Sequence, residues 1–461
     1  MLIVGGGWAG LACAVDLAEA GCRVSLLEAA PRLGGRARSL PAGDRLPTLD
    51  NGQHLLLGAC TAVLGLLERL GVDPEGAFLR RPLDLRLLGA GREVRLRRLP
   101  LPPPLDLLGG LLLGRGLGPL PARLAAASRL QRALRRGIEE GEADLPAAAW
   151  LETLGQPREA VEGLWGPLCL AALTTPPEAA SARVLARVLR EALLAGPRAS
   201  DLLVPRRPLG ELLPLPAARR LRALGARLHT GLRARRLQVE RGRVVGVETS
   251  RGAMQAEAVV LAVPPWEAAR LLRPHPALRP LAQALAALEP VPIVTAYLSY
   301  EEGACGEGAA LGAPLLGRLD GAFQWVFDLG HGEPPGSPRR GLLAAVLGGA
   351  PPAGRDGRAL GELAAAELAP LVGGRRPRRV RVLRERRAAF ACTPAAQALR
   401  PGPRGPLPGL WLAGDHCATG YPATLEGAVR SGLACARALL GARPPPPQSG
   451  QKSGQRSEST E

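Results

Sequence analysis

The chain has 461 residues, of which 46% are hydrophobic, 22% charged and 3% aromatic. This composition is typical of a soluble globular protein, and the length is sufficient for two or three domains with large cores. The formal net charge is +18, and nearly all basic side chains are arginine, Lys452 being the one lysine. Because the arginines are scattered and aromatic residues that could stack on bases are few, we expect no nucleic-acid partner; phosphate groups or an anionic membrane surface remain compatible with the charge.

The eight cysteines are widely spaced and form no C-x-x-C pair. This spacing predicts neither a metal site nor a disulfide framework, and it suits a reducing cytoplasm. The chain enters an apolar run at Leu2 without a charged leader, so we expect no signal peptide, and no apolar stretch is long enough to predict a transmembrane helix. The most apolar stretch, Leu105 to Leu120, could lie on a bilayer surface, but a buried or capping segment is the favoured interpretation.

The N-terminal residues predict a strand, a tight turn, a helix and a second strand. Leu2 to Val4 is a short apolar run, Leu11 to Ala20 has an apolar helix pattern, and Arg23 to Leu27 alternates as a strand does. A helix that follows a strand through a glycine-rich turn is typical of a dinucleotide-binding unit.

The turn carries the motif Gly5-x-Gly7-x-x-Gly10, with Ala9 inside it. The glycines permit the tight turn, the close approach of a pyrophosphate, and close packing of the helix on the strand. The free N–H groups at the positive end of the helix can then bind the phosphates. Glu28 ends the second strand, where a carboxylate can accept hydrogen bonds from ribose hydroxyls. The pattern therefore predicts a dinucleotide site rather than an ordinary turn.

Farther along the chain, the patterns predict a helical region followed by strands. Residues 126–200 have mainly helical patterns, and a β-meander is predicted from Ala226, with strands at R-L-H-T, R-L-Q-V-E, V-V-G-V-E-T and A-V-V-L-A-V. Further elements are predicted as strands at 290–300, 322–328, 341–347, 378–384 and 411–413 and as a helix at 426–440. The tail 443–461 is predicted to be disordered.

Other segments resemble the flavin signatures of the amine oxidase and carotenoid desaturase superfamily. The run Arg32 to Ser39 continues from the second strand and contains a Gly-Gly-Arg triplet. In that superfamily the corresponding backbone wraps the FAD pyrophosphate, so the resemblance implies FAD contacts from Gly35 and Arg36. The segment Thr230 to Leu237 resembles the strand whose backbone contacts the adenine, with Ala234 where the superfamily often has valine.

A further resemblance lies near the C-terminus. An apolar strand ends in Gly414-Asp415, and a helix pattern begins near Glu426. The resemblance implies that Gly414 lies at the cofactor and that Asp415 contacts the ribityl chain. It also places the N–H groups of Leu425 and Glu426 near the pyrimidine end of the flavin, where a helix N-terminus stabilises negative charge. Taken alone, Asp415 could equally be a helix cap.

The resemblance narrows to the squalene-associated FAD-dependent desaturases, whose members are hydroxysqualene dehydroxylases. It covers about residues 1–440 and depends on the segments G-G-G-W-A-G-L-A, L-D-N-G-Q-H-L-L-L-G, V-V-L-A-V-P-P, F-Q-W-V-F-D and A-T-G-Y-P-A-T-L-E-G-A-V-R-S-G. It implies hydride transfer from reduced FAD to an allylic carbon as a hydroxyl leaves as water. His416-Cys417 departs from the family pattern, which has an aromatic residue and a threonine after Gly-Asp. The departure concerns substrate positioning rather than FAD binding.

The segment Leu49 to Gly58 is expected, from this resemblance, to pass along the isoalloxazine ring, with Gly52 and Gln53 in contact with the cofactor. Loss of the hydroxyl requires a proton donor near its oxygen and an apolar cavity. His54 or Asp50 is the candidate donor, directly or through water. In the alternative interpretation, Asp50 caps a turn and His54 packs against the flavin edge.

Three more residues are candidates for lining the substrate cavity. Tyr421 lies beside the expected flavin face, and Gln324 and Trp325 lie in a segment that resembles the family. For Gln324 and Trp325, an ordinary amphipathic sheet strand is the slightly favoured alternative.

Together these features predict an α/β protein with α+β character and two discontinuous domains. A Rossmann-like FAD-binding domain would combine residues 1–85, 201–265 and 385–442. A substrate-binding domain with a mixed sheet and helices would combine residues 86–200 and 266–384.

The predicted function is reductive removal of the hydroxyl of hydroxysqualene, a long-chain isoprenoid, to give squalene. We expect the protein in the cytoplasm, peripheral on the inner face of the bacterial plasma membrane and beside other enzymes of the pathway. The alternatives are a carotenoid or phytoene-type desaturase and, from another class, a non-catalytic FAD-binding scaffold at the membrane. An amine oxidase is disfavoured because no aromatic pair flanks the C-terminal flavin segment.

Overall fold

The computed structural model describes residues 1–41, 43, 46–89, 91–102, 105–138, 141–301 and 311–442. The tail 443–461, for which the sequence predicts disorder, lies outside the described residues.

Strands and helices are interspersed along the described part of the chain. The strands are β1 Leu2–Val4, β2 Ser25–Glu28, β3 Ser39–Leu40, β4 Leu49–Asp50, β5 Leu56–Leu57, β6 Phe78–Arg81, β7 Asp84–Gly89, β8 Arg92–Arg97, β9 Leu202–Pro205, β10 Arg227–Thr230, β11 Ala234–Glu240, β12 Arg243–Thr249, β13 Gly252–Gln255, β14 Val259–Leu261, β15 Pro290–Ser299, β16 Leu315–Arg318, β17 Trp325–Asp328, β18 Leu342–Gly348, β19 Arg379–Phe390 and β20 Leu410–Leu412. The helices are α1 Trp8–Glu19, α2 Thr61–Arg69, α3 Pro74–Ala77, α4 Leu105–Leu113, α5 Leu120–Arg136, α6 Ala147–Thr153, α7 Arg158–Ala160, α8 Gly166–Leu173, α9 Ala182–Leu194, α10 Leu209–Leu212, α11 Pro214–Ala223, α12 Pro265–Leu272, α13 Arg279–Ala286, α14 Gly357–Leu368, α15 Pro394–Ala398 and α16 Leu425–Gly441.

A five-stranded parallel sheet has the order β10-β2-β1-β14-β20. Three of its strands, β1, β14 and β20, are short apolar runs that are buried along their whole length, whereas the edge strand β10 is partly exposed. Continuous burial of this kind is characteristic of parallel sheets that helices cover on both faces. The predicted order of strand, turn, helix and strand at the N-terminus is confirmed, and so is the α/β class.

The predicted meander is wrong at both of its ends. R-L-H-T forms β10, which pairs in parallel with β2, and the final apolar run forms β14, which pairs in parallel with β1 and β20. The antiparallel meander consists of β11, β12 and β13, and the sequence pattern missed β13. The error arises because hydrophobic patterning indicates which face of a strand is buried but not the direction in which its neighbour runs.

A seven-stranded, mainly antiparallel sheet has the order β19-β15-β18-β17-β16-β7-β8. The predicted strands at 290–300, 322–328, 341–347 and 378–384 are confirmed as β15, β17, β18 and β19, although β19 extends to Phe390. Helices from the predicted helical region share a core with this sheet, in which Trp165, Leu185 and Tyr297 are buried.

Helix α4 lies in the stretch Leu105 to Leu120, for which a buried or capping segment is the favoured interpretation, and burial is wrong for Leu105, Leu113 and Leu120. Leu111 is buried, but Leu105 and Leu113 are 58% and 71% exposed. The one acid of the helix, Asp106, is buried instead. Apolar composition alone did not reveal that the polar side of this helix is turned inward.

Helices α1 and α16 pack closely and position the candidate site. A Cβ at Gly432 would overlap the carbonyl oxygen of Ala9 and would lie 3.0 Å from the Cβ of Ala12. Since α1 follows β1 and α16 follows β20, both helices begin at the carboxyl edge of the parallel sheet. Ligands of such sheets bind at this edge.

Candidate cofactor and active site

The first glycine-rich turn lies at the carboxyl edge of the parallel sheet. Gly5 has a φ of 114°, and a Cβ there would overlap the carbonyl oxygen of Ala262. A Cβ at Gly10 would overlap the carbonyl oxygen of Gly5. Glycine is therefore required at both positions, and Ala9 follows the turn in the buried first turn of α1. The resulting geometry directs the N-terminus of a helix towards the space that a phosphate would occupy.

The second glycine-rich loop contacts the first. The N–H of Gly34 donates to the carbonyl of Gly6 at 2.8 Å, and a Cβ at Gly35 would lie 3.1 Å from the Cα of Gly7. The two loops form one cradle, which side chains at these positions would fill. Backbone that can be approached this closely fits the pyrophosphate of a dinucleotide.

Glu28 lies beside this cradle at the end of β2. Its carboxylate accepts hydrogen bonds from the N–H groups of Gly6 at 2.8 Å and Ala30 at 2.7 Å. These bonds fix the carboxylate at the carboxyl edge of the sheet, and a carboxylate has further lone pairs for a ribose hydroxyl.

Arg36 and Asp415 form an ion pair that joins two of the predicted cofactor segments. The Nη2 of Arg36 donates to the Oδ1 of Asp415 at 2.5 Å, and its Nη1 donates to the carbonyl of Ala388 at 2.9 Å. The guanidinium also lies 5.8 Å from the ring centre of Trp266. Burial alone would raise the pKa of Asp415, but Arg36 and His416 hold that pKa well below its usual range. Asp415 is therefore an anion at all physiological pH values.

Two side chains at the N-terminus of α16 cap helices, and the sequence did not reveal this. Thr424 caps the helix by accepting a hydrogen bond from the N–H of Gly427 at 3.2 Å. The N–H groups of Leu425 and Glu426 are in the first turn and have no acceptor within the helix. The buried carboxylate of Glu426 accepts hydrogen bonds from the N–H groups of Ala62 at 3.0 Å and Val63 at 2.9 Å, and thus caps α2.

The polar segment Asp50–His54 lies between the second glycine-rich loop and the antiparallel sheet. The Nδ2 of Asn51 donates to the carbonyl of Arg36 at 3.2 Å. On the other side, the buried hydroxyl of Tyr297, on β15, donates to the carbonyl of Asp50 at 3.0 Å. The segment is thus hydrogen-bonded both to the cradle and to the sheet of the predicted substrate domain.

Gly52 and Gln53 form the middle of this segment. A Cβ at Gly52 would meet protein atoms only at ordinary contact distances, the nearest being the Oγ1 of Thr295 at 3.7 Å. Contacts with neighbouring residues therefore do not require the glycine, but its φ of 159° is a backbone conformation that other residues rarely adopt. The Nε2 of Gln53 donates to the carbonyl of His54 at 3.3 Å.

The carboxylate of Asp50 has structural partners. Its Oδ1 accepts hydrogen bonds from the hydroxyl of Ser39 at 2.8 Å and from the N–H of Leu209 at 2.9 Å, and the Ser39 oxygen accepts one from the N–H of Gly210 at 2.7 Å. Asp50 and Ser39 therefore cap α10 together. Burial raises the pKa of Asp50 to about 6, although these hydrogen bonds oppose the shift.

His54 is held by the backbone of its own segment. Its Nδ1 lies 2.7 Å from the carbonyl oxygen of Gly52. A carbonyl can only accept, so Nδ1 carries the proton and Nε2 is the acceptor of the neutral ring. Burial lowers the pKa of His54, which keeps the ring neutral at neutral pH.

Gln324 and Trp325 belong to the antiparallel sheet. The Oε1 of Gln324 accepts a hydrogen bond from the N–H of Gly348 at 2.9 Å, so this side chain supports the strand pairing at the start of β17. Trp325 is 8% exposed and contributes to the core that the sheet shares with the helices.

Tyr421 lies among arginine side chains, and Ala234 lies at the start of a strand. The ring of Tyr421 lies between two guanidinium groups, that of Arg187 at 4.9 Å and that of Arg430 at 4.5 Å from the ring centre. Ala234 begins β11, and its carbonyl accepts a hydrogen bond from the Nη2 of Arg270 at 3.0 Å.

Comparison with known proteins identifies the family. The sequence profile of the flavin containing amine oxidoreductases matches residues 8–440. The chain belongs to this family. The hydroxysqualene dehydroxylase of Rhodopseudomonas palustris is 34% identical over 465 residues, which cover 95% of this chain and 98% of the relative. The family that the motifs indicated is thus confirmed, and the protein is a flavin-dependent oxidoreductase.

More distant members of the same fold also align along nearly the whole flavoprotein. A chloroplastic/chromoplastic 15-cis-phytoene desaturase of Glycine max is 24% identical, covering 95% of this chain and 79% of its own length. The crystal structure of an oxidoreductase from Methanosarcina mazei is 16% identical and superposes with a TM-score of 0.72, covering 95% of this chain and 99% of that one. Among the described residues, none of the helices of the flavoprotein has the length and apolarity needed to cross a bilayer.

Arg400 supports the candidate site, and the sequence did not reveal it. It is 7% exposed, and its guanidinium donates to the carbonyl oxygens of Tyr421 at 2.7 Å, Asp415 at 2.9 Å and Cys417 at 2.5 Å. It therefore holds the loop between β20 and α16 in shape. No sequence signal distinguishes it, because it is one arginine in an arginine-rich chain.

The departure at His416 is accommodated inside this same loop. His416 is fully buried, and a Cβ at Gly414 would lie 2.5 Å from its Nδ1. The imidazole thus packs directly against Gly414, so the two residues depend on each other sterically.

Proposed function

We propose that the protein binds FAD and reductively removes the hydroxyl of hydroxysqualene, a long-chain isoprenoid, to give squalene. The proposal is supported by the 34% identity to a hydroxysqualene dehydroxylase over 95% of this chain. The structural observation that carries it is the position of Asp50–His54, hydrogen-bonded to Arg36 on one side and to Tyr297 on the other. This position suits a segment that meets both cofactor and substrate.

FAD is favoured over a smaller flavin because two parts of the fold suit its adenosine half. Glu28 is fixed at the edge of the sheet beside the glycine cradle, where a ribose would bind. Ala234 lies on the strand that, by resemblance, meets the adenine. Arg36 supplies positive charge for the pyrophosphate, and Asp415, held ionised by Arg36, offers an acceptor for ribityl hydroxyls. When bound, reduced FAD supplies the hydride that replaces the leaving hydroxyl.

Asp50 and His54 take different parts in the proposed reaction. A carboxyl with a pKa of about 6 remains partly protonated near neutral pH, so Asp50 can donate the proton with which the hydroxyl leaves as water. His54 is neutral and keeps its Nε2 as an acceptor, so it can orient the substrate hydroxyl or a relaying water. Tyr421, Trp325 and Gln324 are proposed to line the apolar cavity that excludes bulk water.

The division into domains forms part of the proposal. Residues 1–85, 201–265 and 385–442 would bind the cofactor, since they supply every strand of the parallel sheet. Residues 86–200 and 266–384 would bind the substrate, since most of the antiparallel sheet and its covering helices come from them. We further propose a cytoplasmic location at the membrane surface, where the water-insoluble substrate and neighbouring pathway enzymes would be found.

A phytoene-type desaturase is the second candidate, because a phytoene desaturase aligns with 95% of the chain at the lower identity of 24%. The two reactions run in opposite redox directions. Anaerobic incubation of the holoenzyme with chemically reduced FAD and hydroxysqualene should give squalene. Oxidation of a polyene without squalene formation would favour the desaturase, and bound flavin without any turnover would favour a scaffold.

A further inference from the structure

Helix α4 buries its polar side and exposes an apolar one. Asp106 is 3% exposed and lies 3.8 Å from the guanidinium of Arg98. Gly110, one turn after Asp106, and Leu111 are also buried. Leu105, Leu108, Gly109 and Leu112 share another side of the helix and are exposed or half-buried, and Leu113, the last residue of the helix, is exposed as well. An apolar helix face of this kind is normally covered by another surface.

The apolar surface continues beyond α4. Leu120 and Leu124, one turn apart on α5, are 49% and 50% exposed. The Nη1 of Arg123 donates to the carbonyl of Gly114 at 2.6 Å, which ties the first turn of α5 to the end of α4. Leu101, just before α4, is 47% exposed. We define the leucine face as Leu101, Leu105, Leu108, Leu112, Leu113, Leu120 and Leu124.

The sequence that carries the leucine face is strongly basic, although the exposed Glu159 lies beside Gly118. From Arg98 to Ile138 the sequence contains seven arginines and a single acid at position 106, which is buried. Arg115 is exposed in the turn between α4 and α5, and Arg132 and Arg135 are exposed along α5. An apolar surface with a basic border therefore faces solvent.

A basic cavity adjoins this surface. It has a volume of about 640 Å³ and is lined by Arg81 and Arg97 and by Leu99 and Pro100, which lead directly to Leu101. Guanidinium groups bind phosphate oxygens through paired hydrogen bonds. The cavity therefore offers phosphate-binding groups immediately beside the leucine face.

We propose that the leucine face docks this protein on an anionic phospholipid bilayer. The leucines enter the boundary between headgroups and acyl chains, and Arg97, Arg115 and Arg132 contact lipid phosphates. An apolar face and a basic border together provide the two signals that stable peripheral binding requires. A protein partner would satisfy the leucines but would need an acidic rim to match the arginines. The proposal depends on this surface alone and not on the proposed reaction.

Vesicle sedimentation of the full-length holoenzyme tests the proposal. The wild-type protein should bind vesicles of phosphatidylcholine with phosphatidylglycerol, bind pure phosphatidylcholine more weakly, and lose affinity as salt is raised. Combined Leu105→Gln and Leu113→Gln changes should lower affinity for the mixed vesicles at least about tenfold. Combined Arg115→Gln and Arg132→Gln changes should remove most of the preference for phosphatidylglycerol.

Leu215 provides the matched control, because it is 56% exposed on α11, outside the leucine face. Leu215→Gln should leave vesicle binding unchanged, and all variants should have the same melting temperature as the wild type. Wild-type affinity in the Leu105/Leu113 variant, or an equal loss in Leu215→Gln, would overturn the proposal. So would a vesicle-free dimer that the Leu105/Leu113 changes dissociate, since a second copy would then cover the face. Turnover of detergent-dispersed hydroxysqualene is measured separately, so its absence with intact vesicle binding contradicts only the proposed reaction.

Discussion

Arg36 and Asp415, 379 positions apart in the chain, are joined by a 2.5 Å hydrogen bond that closes the proposed cofactor cradle. One comes from the glycine-rich loop after β2 and the other from the loop after β20. The bond therefore connects two segments that lie at the two ends of the sequence, and FAD is proposed to bind against both.

Replacing Arg36 by Met should weaken FAD binding and destabilise the fold. The change leaves the buried carboxylate of Asp415 without its main cation, which costs about 3 kcal/mol in the free energy of unfolding. We expect at least a tenfold loss of FAD affinity, measured by flavin titration of the apoprotein. Arg32 is the control, since it is an exposed arginine of the same loop. If Arg36→Met retained full FAD affinity, the proposed role in pyrophosphate binding would be wrong.

Asp50 should give a distinctive dependence of stability on pH. Burial raises its pKa in the folded state to about 6 from an ordinary 3.8. Its stabilising contribution is therefore complete below about pH 4 and is lost as pH rises through about 6, amounting to about 3 kcal/mol. Asp50→Asn should remove this loss, so the variant gains stability relative to the wild type as pH rises from about 4 to about 6, and the difference then stays constant. Chemical unfolding across that range measures the effect, and Glu240, an exposed acid, serves as the control.

The same variant tests Asp50 as the proton donor. Wild-type kcat/KM should fall as the pH rises through about 6, because the acid form is then lost. Asp50→Asn should be slower by roughly a hundredfold or more and should lack this pH dependence. A variant with the wild-type rate and pH profile would leave Asp50 with only its role in capping α10.

His54→Gln should separate orientation from cofactor binding. Its imidazole hydrogen-bonds within its own segment, to the carbonyl of Gly52, so melting temperature and FAD affinity should remain near those of the wild type. The rate of squalene formation should fall by roughly tenfold to a hundredfold, since the acceptor that orients the hydroxyl is displaced. Full turnover with bound FAD would remove His54 from the reaction and favour simple packing against the flavin edge.

Changes at Glu426 should alter stability rather than FAD binding. Glu426→Ala removes the acceptor for two N–H groups of α2 and the partner of Arg430, at a cost of about 3 kcal/mol. Glu426→Gln retains an acceptor and should cost about 1 kcal/mol. The FAD affinity of the folded variants should match that of the wild type, because the proposed contact uses the backbone N–H. Glu68, exposed on α2, is the control, and a selective loss of FAD affinity in Glu426→Gln would assign its carboxylate to the cofactor.

The sequence predicts those features whose cause is local. The turn from Gly5 to Gly10 is such a case, because steric contacts within a few residues and with the adjacent strand leave glycine as the only option. Strands such as β15 and β18 are equally visible, since long apolar runs bounded by breakers have few other structures available.

Features that depend on distant partners were not visible in the sequence. Three such features join segments that are far apart in the chain. Glu426 caps α2, Arg400 supports the loop from Asp415 to Tyr421, and β10 pairs in parallel with β2. For a similar reason, a bilayer-facing position was the less favoured interpretation of the stretch that carries the leucine face. The exposure of its leucines depends on the buried ion pair between Asp106 and Arg98 on the inner side of α4. The apolar composition of the stretch instead favoured burial of its whole length.

The most direct test of the account is a single anaerobic turnover of the reduced holoenzyme. The protein with bound, chemically reduced FAD is mixed with hydroxysqualene, and flavin absorbance and lipid products are followed together. The proposed reaction should give one squalene for each flavin reoxidised. Reduction of the oxidised holoenzyme by a polyene substrate, with no squalene from hydroxysqualene, would contradict it.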